Sequence, residues 1–202
     1  MKFPVKKLIS LGFIVSVLAL ALTGWLSYRL AQRATATLDA VAHTQEVIGM
    51  LMSVNAALRE VESEQRGFLL TGAIAFLSDR TNAIKELDNN LAELRALTRD
   101  NQEHQRALGK LEPLIVERLN LADDRIAIFH DFGLEAAAAT MVSGPGEMAM
   151  KQILQVLDDM RTKENQLLLQ REQAARDRAR SSLRIIAFSS GLAILIGSLA
   201  VV

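Results

Sequence analysis

The chain contains no cysteine, so disulfides, thiolate metal sites and a thiol nucleophile are excluded. That absence selects no compartment, since periplasmic proteins also do without cysteine. Only 3 prolines occur and aromatic residues make up 4% of the chain, while 50% of residues are hydrophobic. A balance rich in Ala, Leu, Glu and Arg predicts long helices rather than sheet. Acidic residues are missing from both ends, the first being Asp39 and the last Asp177. With 23 basic against 23 acidic residues the formal net charge is zero, so there is no electrostatic footprint for nucleic acid. Chemistry-bearing motifs are also missing. There is no Gly-rich phosphate loop, hydrolase elbow, paired-acid cleft or kinase signature. His43, His104 and His130 are far apart, without His-x-x-x-His spacing, and no haem-attachment motif is present. Met141, Met148, Met150 and Met160 mostly follow core spacing, and Met50 and Met52 point to different helix faces. The reading is therefore a chain with no cofactor and no metal, and not an enzyme.

What is present begins with two uncharged apolar runs. Residues 8–28 form the first, with Trp25 and Tyr28 at its far end, where amphipathic rings prefer the membrane interface. At 1.5 Å per residue the run matches a hydrocarbon core of about 30 Å. Lys2, Lys6 and Lys7 favour a cytoplasmic N-terminus. Ala19-Leu20-Ala21 also fits a signal-peptide cleavage site, but the apolar run continues past it, as an anchor does. Residues 185–202 form the second run, which is just long enough to span. Arg176, Arg178, Arg180 and Arg184 precede it on the side assigned as external. They carry little weight for orientation, because charge bias is weak for loops longer than about 60 residues. They suit lipid headgroups or a partner's acids. The expected layout is a cytoplasmic tail at 1–7, spans at 8–28 and 185–202, and an extracytoplasmic domain at 29–184. An end directly after the second span predicts a cytoplasmic portion in a continuation or a separate chain.

Between the runs, apolar residues recur at three- and four-residue steps. Leu38, Val41, Ile48, Leu51, Met52, Val54, Leu58, Val61 and Phe68 carry the first span onward as one helix to Leu70. A second helix runs near 74–98 with Ile84, Leu87, Leu91, Leu94 and Leu97 as its stripe. Asp100-x-x-Glu103 suits a capped start for a third, which carries Leu108, Leu111, Ile115, Leu119, Ala122, Ile126 and Phe129 and ends at Gly133. A short helix over 135–142 leads to Ser143-Gly144-Pro145-Gly146, the strongest break in the chain. The last helix starts near Glu147 and runs into the second span through Met150, Ile153, Leu154, Leu157, Met160, Leu167 and Leu168. The summed rises return the chain to the membrane it left. The expected fold is all-α, an up-down-up-down four-helix bundle whose long first and last helices continue into two transmembrane helices. The overlong helices predict a homodimer through coiled-coil-like packing. Pro113 is a helix kink or a hinge, and Gly144, Pro145 and Gly146 are further hinge candidates.

The stretch Gln65-Arg66-Gly67-Phe68-Leu69-Leu70-Thr71-Gly72 resembles the Gln-Arg-Gly-Tyr-Leu-Leu-Thr-Gly signature of the third class of CHASE domains, with Phe for Tyr. Leu97 to Asn101 with Gln105, Leu108, Leu111, Pro113 and Leu114 resembles a second block of that family. Gly146 to Met160 with Glu164, Leu167, Leu168 and Arg171 resembles a third. Glu64 departs from the pattern, standing where the family usually has Gly. The resemblance implies an all-helical periplasmic or extracellular sensor joined to a histidine kinase, cyclase, diguanylate cyclase or chemotaxis-type output.

Gln65 sits on the apolar stripe and Glu62 beside it, and burying such polar groups unpaired would cost a few kcal/mol. Glu62 and Arg66 have the acid-first i,i+4 spacing of a surface ion pair. The functional alternative places Glu62, Gln65 and Arg66 in a polar ligand-binding or signalling pocket. Gly67, Phe68, Leu69, Leu70, Thr71 and Gly72 form the signature turn. The expected function is a signal-input module of the inner membrane, passing a stimulus to a cytoplasmic output. The rival readings are a two-span structural scaffold of the envelope, or a chemoreceptor-type bundle, which would need a long cytoplasmic coiled coil.

Overall fold

The computed structural model describes residues 5–140 and 144–201. Among the described residues the helical elements are, in order, α1 (Val5–Thr71), α2 (Ala75–Leu97), α3 (Gln102–Ala139, two helical segments joined across a kink) and α4 (Pro145–Val201). No strand occurs among the described residues, as the composition predicts. The chain divides into two compact units, Thr44–Leu167 and a second made of Met1–His43 with Leu168–Val202.

The Thr44–Leu167 unit is a four-helix bundle with a layered core. Val47, Leu51, Val54 and Leu58 of α1 meet Leu87, Leu91 and Leu94 of α2, Leu108, Leu111 and Ile115 of α3, and Ile153, Leu157 and Met160 of α4. All recur at helical spacing, so each helix buries one face. Met52, expected in the stripe, is 59% exposed, and Val47 takes a core place instead. A second apolar cluster gathers Phe68, Leu69 and Ala137 with Phe76, Leu77, Ile126, Ile128 and Phe129. Phe68 and Phe129 meet edge to face with ring centroids 5.2 Å apart.

The connections account for the signature. Gly72 adopts φ 69°, the left-handed region that ends a helix at little cost only for glycine. Its N–H donates to the Phe68 carbonyl at 2.7 Å, and the Thr71 hydroxyl donates to the Gly67 carbonyl at 2.7 Å. The Ala73 N–H in turn donates to Thr71 Oγ1 at 3.2 Å. Gly67 has a separate reason to be glycine. A Cβ there would stand 2.5 Å from the Phe76 ring, closer than packing allows.

At the start of α3 the cap is Asn101, not Asp100 as the acid-x-x-Glu spacing suggests. The Asn101 side chain accepts from the Glu103 and His104 N–H groups. Gln105 then ties the α2–α3 turn together, donating to the Arg95 carbonyl at 3.0 Å and to Thr98 Oγ1 at 3.1 Å. Arg95 spans to Glu112 at 2.7 Å. The expected helix boundary at Gly133 is present: with φ 81° and ψ −177° it separates a first segment of α3 from a short second one. Pro113 is exposed on α3, and the non-helical backbone inside that helix lies at Gly133 rather than at the proline. Helix α4 begins at Pro145, a first-turn position for which proline is preorganised.

The other unit consists of the ends of α1 and α4. Gln32 donates to the Tyr28 hydroxyl at 2.8 Å, the Arg29 guanidinium lies 4.8 Å from the Trp25 ring centre, and Arg171 donates to the Ala40 carbonyl at 2.8 Å. None of its described residues is buried. Ile14, Leu18, Leu22, Trp25, Leu38, Leu183 and Phe188 are all exposed. Among the described residues no helix is long and apolar enough to cross a membrane. The spans expected at 8–28 and 185–202 thus find no support there. The side chains of residues 5–13 and 192–201, much of both runs, lie outside the described residues.

Candidate functional site

Glu62, Gln65 and Arg66 line one cavity of about 300 Å³ inside the Thr44–Leu167 unit. Helix α3 adds Arg118 and Arg125, and the first turns of α4 add Gly146, Glu147 and Met150. The i,i+4 pair expected along α1 is not formed. Glu62 instead accepts from Arg118 across the bundle, Nη2 to Oε1 at 2.6 Å, with both side chains largely covered. The reason is geometric: Glu62 lies beside the buried face of α1 and α3 presents a guanidinium there, whereas Arg66 points to solvent. Gln65, by contrast, is where the stripe predicts it. It is 2% exposed and donates to the Ala122 carbonyl of α3 at 3.3 Å.

Arg125 is held by neutral groups, donating from Nε to Thr140 Oγ1 at 3.2 Å and from Nη2 to the Thr140 carbonyl at 3.3 Å. Burial pushes its pKa down, the Arg118 charge adds to that, and Glu62 opposes it. Gly146 fits closely against both arginines. A Cβ at Gly146 would stand 3.6 Å from Arg125 Nη2 and 3.9 Å from Arg118 Nη1, so the two guanidinium groups converge on the first turn of α4. Of the hinge candidates, Gly146 and Gly144 therefore serve this corner, Gly144 accepting from the Glu147 N–H at 3.1 Å as α4 starts.

Arg118 and Arg125 are absent from the sequence-derived site. Their signal was available: they are seven residues apart and interleave with Ile115 and Ala122 on the buried face of α3. A second polar pair is likewise absent from it. His104 Nε2 and Glu164 Oε1 are 2.6 Å apart, both side chains nearly fully buried, with His104 Nδ1 unpartnered among the described residues. His104 precedes Leu108 by four, and Glu164 comes four after Met160, so both lie on core stripes. Beside them Lys163 pairs with Glu103. Among the described residues no group of three or more His, Cys, Asp or Glu is placed to hold a metal ion.

The signature turn, the bundle and the arginine-lined cavity all fall within one matched region. The model of the CHASE3 domain family matches residues 37–174, more than half of the chain. The chain belongs to the CHASE3 domain family. CHASE3 domains are sensory extracellular domains, and the matched region contains the whole Thr44–Leu167 bundle. No curated protein and no solved structure matches the chain.

Proposed function

We propose that the chain is the signal-input module of a two-pass receptor in the inner membrane. Its N-terminus is cytoplasmic, residues 29–184 lie outside, and it works as a homodimer. The stimulus passes to a cytoplasmic output such as a histidine kinase or nucleotide cyclase. The observation that carries this reading is membership of a family of sensory extracellular domains. Three features support the membrane part of it. Uncharged runs at 8–28 and 185–202 flank the matched region. Large apolar side chains, Leu18, Leu22, Leu183 and Phe188 among them, are exposed on the ends of α1 and α4 and call for an apolar cover. Arg29 over Trp25 suits an aromatic belt at the interface.

Both α1 and α4 run as single helices from the bundle into the apolar runs. A change of bundle packing therefore becomes a shift, tilt or rotation of those two helices. Two packings separated by a few kcal/mol suffice for a switch. The test uses the whole chain fused to a nucleotide-cyclase output in membranes, with one to four alanines inserted between Arg180 and Ser181. Each inserted residue turns the downstream part of the helix by about 100°. The expected result is an output that rises and falls with helical phase. An output indifferent to every insertion overturns the reading in favour of the scaffold.

A further inference from the structure

The cavity between α1, α3 and α4 has the chemistry of an anion site. Arg66, Arg118 and Arg125 line it against two acids, Glu62 and Glu147. Glu62 is committed to Arg118. Arg125 has hydrogen bonds only to the uncharged Thr140, and forms no ion pair among the described residues. Arg118 keeps Nε buried without a hydrogen-bond partner among the described residues. Two guanidinium groups thus converge within 4 Å of one point at Gly146, and only Arg118 of the two has a carboxylate partner among the described residues. A further negative charge placed there would be attracted by both cations. The opening turn of α4 adds the positive end of a helix dipole at the same place. Burial and the Arg118 charge both work against the Arg125 cation, so an anion there relieves a cost already present in the fold. The remaining wall is Met150 and the buried Gln65, which suit a short carbon skeleton behind a charged head. A volume of about 300 Å³ is at the small end of ligand pockets.

We propose that this cavity binds a small organic anion through a carboxylate or phosphate head, with Arg125 and Arg118 as the ligands of that head and Arg66 at the rim. The proposal rests on the sensory reading for its purpose, but not for its chemistry. Guanidinium groups match both head groups with paired N–H donors. Because the cavity takes residues from three helices, an occupant held by Arg118 and Arg125 of α3 against the first turn of α4, with Arg66 of α1 at the rim, bridges all three helices. This is a direct route from binding to helix packing.

The test is titration of the full chain in nanodiscs with succinate, glycerol 3-phosphate and inorganic phosphate at constant ionic strength. Succinamide serves as the uncharged control, and binding is followed by calorimetry and thermal melting. The expected result is saturable binding and a raised Tm for a carboxylate or a phosphate but not for succinamide. Arg125→Gln should weaken it by at least about tenfold. Exposed Arg66→Gln, which leaves the bundle intact, should weaken it less, and Arg161→Gln, outside the cavity, should leave it unchanged. Arms with carboxylate alone or phosphate alone distinguish the head group. No saturable binding of any of the three anions, or binding unaltered in both Arg125→Gln and Arg66→Gln, overturns the site. Binding that leaves the cyclase fusion silent keeps the site and overturns the sensory reading. A fusion that responds to growth conditions without any anion bound does the reverse.

Discussion

Gly67 shows how little of a signature concerns ligand. Its missing side chain makes room for the Phe76 ring, and the Phe68–Phe129 contact lies in the same cluster. Gly67→Ala should destabilise the bundle by about 1–3 kcal/mol through overpacking, read as a lower urea midpoint. Two carboxylates give the molecule opposite pH signatures. Lys163, by hydrogen bond and charge, holds the Glu103 pKa below the usual carboxylate value, with His104 and Arg106 helping and burial opposing. A depressed carboxylate stabilises the fold above its unfolded pKa, about 4.3, and that contribution disappears as pH falls through the folded value. Glu64 is the reverse case. Burial first, then Glu60 and Asp79, raise its pKa. Its protonated form suits the fold, so stability is lost as pH rises from its ordinary value through the raised one. Urea midpoints measured across pH should therefore show Glu64→Gln losing the decline on the way up. Lys163→Met should lose part of the fall below about pH 4. An unchanged profile in both variants would count against these assignments.

At the scale of the element, the helices were legible because three- and four-residue apolar steps are a strong signal, and because Thr71-Gly72 and Gly133 stop or bend the chain where they stand. The polar contents of the bundle were legible only in part. Gln65 and Glu62 stand out on α1 because they lie on or beside its apolar stripe, so their placement in a shared cavity was within reach. Their partners were not, since sequence spacing reports neighbours along one helix and says nothing about which residue of another helix arrives opposite. Glu62 pairing with Arg118 instead of Arg66 is that limit in one contact. The His104–Glu164 pair, which joins α3 to α4 inside the core, is another. Removing one member leaves the other buried and unpartnered, so Glu164→Leu should cost about 3 kcal/mol or more. Replacing both, His104→Leu with Glu164→Leu, should restore much of that loss. Additive losses in the double variant would mean that the two side chains stabilise the helices separately.

For the whole molecule, the contrast between the two units sets the problem. The Thr44–Leu167 bundle covers its own core, whereas the ends of α1 and α4 bury none of their described side chains. Two helices with exposed apolar faces call for a cover; in the proposed receptor, lipid is that cover for the apolar runs and a second copy is that cover from about Leu38 onward. The proposed homodimer stems from that requirement, and the absence of cysteine makes it directly testable, because every introduced cysteine is the only one in the chain. Single cysteines placed from Leu38 to Val54 and oxidised in native membranes should crosslink with helical periodicity. The bonded positions should fall among the exposed residues Leu38, Ala42, Gln45, Gly49 and Met52, and the buried Val47, Leu51 and Val54 should remain monomeric. A pattern peaking on the buried positions would require the bundle itself to open between copies. A series without any crosslinked species would overturn the proposed homodimer.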